Sequence, residues 1–186
     1  MPRFRRAFAQ EVVAGLGLEE SNRVLADHWL TLWDGDALPQ RASFNPAKLK
    51  PFLANMIMFN VVPDKNVTVR LAGTAFRHFL DSELTGGDWI ALAPKGHRTT
   101  RLKLFSAIAR GAILVAHRRI AMTVGADYVS EEILLPFAPE PGGASPVLVH
   151  VNFKPEHFRK IRSMAQVTGD PLDHKLMSLA QFTNWD

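Results

Sequence analysis

The sequence predicts an α+β fold, with one antiparallel sheet of about five strands, helices on one face, and further helices at both ends. Three observations predict it. Helical patterns come first, followed by two adjacent strand-like runs at 56–62 and 67–72. Short helical segments come next, and then three more strand-like runs at 112–122, 128–137 and 146–153. The two groups of strands read as hairpins separated by helices, which does not suit a parallel sheet, where every neighbouring pair needs a crossover. A sheet curved around its helices can hold an internal cavity.

The elements follow in chain order. Phe4, Phe8 and Val12 recur every four residues, the stripe of an amphipathic helix with a basic side supplied by Arg3, Arg5 and Arg6. Such a helix packs on its own domain or on a second copy, or lies on a membrane surface. Gly15 and Gly17 end the stripe. Ser21 is placed to cap a second helix, and Val24, Leu25, His28, Trp29, Leu32 and Trp33 share one side of it. Asn45-Pro46 is a helix start, with Asn as cap and Pro in the first helical position.

The run at 56–62 does not alternate. Met56, Met58 and Val62 are apolar on one face, and Ile57, Phe59 and Val61 on the other. A strand apolar on both faces must be covered on both. Asp64-Lys65-Asn66 turns the chain into the second strand, 67–72. Residues 74–80 read as a short turn or helix, "DWIAL" as another, and 97–110 as a longer helix stopped by Gly111. In "PVLVHVNF", Val147, Val149, Val151 and Phe153 face one way and Leu148, His150 and Asn152 the other. "KPEHFRKIRSMAQ" and "PLDHKLMSLAQF" are expected to close the chain as helices.

Composition narrows the function classes. The chain has 186 residues, 47% hydrophobic and 22% charged, which is ordinary globular composition. With no cysteine, disulfides, thiolate catalysis and iron–sulfur clusters are excluded, and a cytoplasmic location is expected. The net charge of +4 is spread along the chain, whereas nucleic-acid binding wants a focused stripe. No apolar run reaches the roughly 18 residues of a membrane helix, so no transmembrane segment is expected. There is no Gly-rich phosphate loop, no HExxH pair and no GxSxG elbow, so the protein is expected not to be an enzyme. None of the seven histidines stands at metal-ligand spacing from another, and no metal site is expected.

Trp29 and Trp33, "LPQRASFNPAKLKPFL" at 38–53, "VRLAGTAF" at 69–76, "ELTG" at 83–86 and "EILLPFA" at 132–138, in this order, resemble the PAS-like domain family of compact stand-alone bacterial proteins, formerly a domain of unknown function. The resemblance covers about residues 27–153. It implies a PAS-like five-stranded antiparallel sheet over that span, a helical extension at 1–26 and another at 154–186. It also implies a sensory or regulatory protein in signal transduction, acting through a bound small molecule, through protein–protein interaction, or through both. PAS domains can hold haem, flavin or metabolites. Without cysteine the flavin adduct chemistry is excluded, and haem would need an axial ligand such as His78 or His97, which a lone histidine only weakly supports. No cofactor is required by the sequence.

The candidate ligand-binding residues are Arg70, Phe59, Thr74, Phe76, Phe79, Trp89, His117 and Ile120, with Leu71 beside them. The aromatic members serve equally as plain core. Arg70 is the residue that architecture alone does not explain, because Arg is rarely buried without a partner. It either pairs with a neighbour such as Glu131 or Glu132 or faces an anionic ligand. Phe4, Phe8, Trp29 and Trp33 are the candidate interface, and a homodimer through the outer face of the 56–62 strand, or a signalling-protein partner, is expected. Two rival readings remain: a small cone-like α+β enzyme with a polar cavity, and a ligand-free interaction scaffold.

Overall fold

The computed structural model describes residues 3–76, 83–120, 128–152, 173–178 and 180–181. In chain order the elements are β1 (Arg3–Phe4), α1 (Arg6–Gly15), α2 (Glu20–Thr31), β2 (Met56–Val62), β3 (Asn66–Ala72), α3 (Arg98–Ala109), β4 (Ala112–Ile120), β5 (Tyr128–Pro136), β6 (Ser145–Val151), β7 (Asp173–Ser178) and β8 (Ala180–Gln181). Short 3-10 segments cover 41–43 and 46–55. The main sheet is antiparallel, in the order β3-β2-β6-β5-β4-β7.

The apolar pattern of β2 dictates the layers. Met56 and Met58 join Ile113, Val115, Ile133, Leu135 and Leu148 under α1 and α2. Ile57, Phe59 and Val61 join Val67, Val69, Val147, Val149 and Val151 against Phe105 and Ile108 of α3. The two faces read from the sequence are therefore both covered, and by the same chain. The N-terminal helices, expected to pack on their own domain or on a second copy, take the second face of their own sheet. Trp29 is fully buried there, donates its indole N–H to the carbonyl of Pro136 at 3.0 Å, and meets Trp33 edge-on at 5.3 Å.

Several local expectations are corrected. Ser21 does not cap α2. The helix starts earlier because the Glu131 carboxylate accepts the Glu19 backbone N–H at 3.0 Å, a tertiary contact replacing a local cap. Asn45 does cap, accepting the Ala47 N–H at 3.0 Å, but the helix is 3-10 and kinks at Leu49. "DWIAL" is a turn, not a helix. Asp88 Oδ1 accepts the Ile90 N–H at 2.8 Å, and backbone bonds from 86–89 to Val67 and Val69 shield part of the β3 edge.

The largest correction is at the C-terminal end. Where "PLDHKLMSLAQF" was expected to be helical, Asp173–Ser178 pairs antiparallel with β4, from Ala112 opposite Ser178 to His117 opposite Asp173. Without β7, β4 would leave a row of backbone N–H and C=O groups open, and satisfying that row outweighs a weak helical preference. Arg3 and Phe4 are likewise a short strand rather than the start of α1, paired with Gln181 and Ala180. The two ends of the chain thus meet. The Phe4 ring packs where a Cβ on Gly111 would stand, and Gly111 has φ +98°. The segment 155–165, expected to be a basic helix, lies outside the described residues.

Candidate functional site

A groove of about 400 Å3 opens on the α1–α2 face, between the 3-10 segments and the end of β3. Phe44, Pro46, Leu53, Met56, Met58 and Leu148 form its apolar walls, and Arg41, Arg70 and Thr74 are its polar members. Its shape follows from two features of β3. Phe59 faces Val69 while Met58 faces Leu71, so Arg70 is the extra residue of a β-bulge. A bulge re-aims side chains, and here both Arg70 and Leu71 line the groove. At the strand's end, a Cβ on Gly73 would collide with the carbonyl oxygens of Leu53 and Ala54. Only glycine lets the two segments approach this closely.

Arg70 donates from Nη1 to the Glu140 carboxylate at 2.8 Å and to Asn60 Oδ1 at 3.4 Å. Arg41 stands 3.9 Å from the other oxygen of Glu140. The expected partners, Glu131 and Glu132, are corrected by the sheet order. β5 lies three strands from β3, a lateral distance of about 14 Å that an arginine on β3 does not cross. Glu132 pairs with Arg118 at 2.7 Å instead. Behind Phe44, the His28 ring lies 6.1 Å away, and its pKa is held below the ordinary value by burial and then by Lys48.

The remaining candidates are divided by the sheet. Phe59, Phe76 and Trp89 pack on the α3 side, and the Phe59 ring meets Trp89 at 5.1 Å and Phe105 at 5.0 Å. Arg101 stacks over Trp89 at 5.5 Å. Phe59 and Phe76 are core, and Trp89 is partly buried against them. His117 lies on the α1–α2 side but away from the groove, 3.4 Å from Glu131. His78 and Phe79 lie outside the described residues, as does the side chain of Ile120. His97 precedes α3. Trp29 and Trp33 are buried in the chain's own core, with Phe4 and Phe8 packed partly against it. The interface expected from these four residues is therefore taken up within one chain, because α1 and α2 fold back over the sheet.

A second polar cluster was not read from the sequence. Asn22 Nδ2 donates to the Glu131 carboxylate at 2.8 Å, and His150 Nδ1 lies 2.6 Å from Asn22 Oδ1. Asn22 and His150 are almost fully buried, and burial lowers the His150 pKa to about 4. A polar residue at the head of an otherwise apolar helix face was the available signal.

The sheet thus has a bulged edge strand at β3 and a helix, α3, across one face. The sequence profile described as PAS domain matches residues 18–150. The chain belongs to the PAS family. In this PAS domain the matched span takes in all of α2 and closes at His150 in β6, while β1, α1, β7 and β8 lie outside it. A comparison with curated proteins finds no match. No helix among the described residues is long and apolar enough to cross a membrane.

Proposed function

We propose that this PAS protein is a non-catalytic sensory or regulatory element that binds a small molecule in the groove beside β3. Its output passes by protein–protein contact, to a second copy or to a signalling protein. The groove carries the reading, with about 400 Å3 of mostly apolar space and two guanidiniums at its mouth. Small-molecule sites have this size and this combination of apolar walls with a few convergent polar groups. On the α3 side of the sheet, Phe59 packs against Trp89 and Phe105.

The rival reading as a small enzyme would need an acid–base pair within hydrogen-bond reach of a bound molecule. The His117–Glu131 pair stands on β4 and β5, whereas the groove is walled by β2, β3 and β6. That separation favours binding over turnover. A homodimer has to use a surface other than Trp29 and Trp33.

Native mass spectrometry of gently purified full chain, compared with the denatured mass, tests the reading. The expected result is an excess mass that disappears on denaturation. A native mass that is a bare multiple of 20.7 kDa would move the function to protein interaction alone, and the multiple would count the copies.

A further inference from the structure

The charges at the groove's mouth do not balance. Arg41 and Arg70 share one carboxylate, that of Glu140. Arginine does not lose its charge in proteins, so one positive charge is left over beside an apolar space. Arg70 uses only Nη1 for its contacts, and Arg41 reaches Glu140 only from Nε at 3.9 Å. Most of both guanidinium forks therefore has no partner among the described residues. All three side chains are about one-third exposed, where solvent screens an ion pair and leaves it weak.

We infer that the groove takes an amphipathic monoanion, an apolar chain or ring ending in a carboxylate, and that this carboxylate displaces Glu140 from Arg70. The inference rests on the groove being the small-molecule site. A ligand carboxylate matches the planar fork of Arg70 with two parallel N–H···O bonds, a geometry that a neutral or cationic head group does not offer. The apolar body lies against Phe44, Leu53, Met56 and Met58. Glu140 is the internal competitor. It occupies the anion position when the groove is empty, and its weak grip makes the exchange easy.

Calorimetric titration of the full chain with phenylbutyrate, phenylbutanol and phenylbutylamine tests this, because the three share one apolar body and differ in head-group charge. The acid is expected to bind about tenfold or more tighter than the alcohol, the difference worth one charge-assisted hydrogen bond, and the amine weakest. Arg70→Gln should remove the acid's advantage and leave the alcohol unchanged. Glu140→Gln, which removes the competitor and keeps the shape, should tighten acid binding and leave the alcohol unchanged. This second variant decides the matter where Arg70→Gln does not fold. Equal binding of acid and alcohol, or a Glu140→Gln protein that binds acid no tighter, would overturn the anion assignment while leaving the groove a ligand site. No binding of any of the three, together with a bare native mass, would sink both.

Discussion

Asn22 in α2 and His150 in β6 are 128 residues apart in the chain, and their side chains meet at 2.6 Å. Because Asn22 gives its amide N–H to Glu131, its oxygen is left to accept, and His150 must be the donor from Nδ1. Nε2 of the same ring is then a buried lone pair with no partner among the described residues. A neutral ring tolerates that position. A protonated ring would place an unpartnered N–H there.

This geometry sets a pH dependence. Burial holds the folded-state pKa of His150 at about 4, against 6.5 for the free side chain. Between those values the unfolded chain takes up a proton that the folded chain refuses, so stability falls as pH drops from about 6.5 towards 4. The loss from this group approaches about 3 kcal/mol at the bottom of the window and is absent above it. Urea denaturation at stepped pH measures it. The His150→Phe variant should lose this part of the slope whatever its absolute stability, and an unchanged slope would show that other groups produce it.

Gly73→Ala should cost about 2–3 kcal/mol, since the collision is with backbone carbonyls that cannot rotate away. The same change should weaken ligand binding in the groove, which Gly73 lines. Denaturant midpoints and the phenylbutyrate titration would read the two effects separately. A protein of ordinary stability would mean that the 53–54 segment shifts freely.

Trp29→Phe keeps most of the apolar body but removes the indole N–H, leaving the Pro136 carbonyl buried and unpaired. A loss of about 1–3 kcal/mol is expected. Trp29→Ala should cost about 3–5 kcal/mol through the cavity it leaves. If both variants stay monodisperse but change oligomeric state in sedimentation, Trp29 has an interface role that its burial in the single chain does not account for.

Lys175→Pro should break the ladder between β7 and β4 opposite Val115. Amide exchange along Ala112–His117 should rise on the side facing β7, while the β5 side stays protected. Unchanged protection in β4 would mean that β7 contributes little to closing the sheet.

How much of this was legible varied with the kind of signal. Apolar periodicity is a local property, and it placed α3, the β2–β3 hairpin, the two-faced character of β2 and the alternation of Val147, Val149 and Val151 correctly. Arg70 was singled out because a charge on an apolar strand is costly, and it does line the groove. Its partner was not legible, because Glu140 becomes a neighbour only once the sheet order is set. The aromatic candidates were assigned to one site by residue type, yet the sheet puts Phe59, Phe76 and Trp89 on the side opposite Arg70 and Thr74.

By itself the sequence determined the α+β class, the family resemblance, and the two apolar faces of β2, because each follows from patterns within a few residues. Only the tertiary structure decided that α1 and α2 cover the sheet of their own chain, that the segment at 173–178 becomes a strand, and that Arg41, Arg70 and Glu140 converge beside an apolar groove. Those outcomes depend on backbone groups and side chains distant in sequence satisfying one another, and no local pattern carries that information.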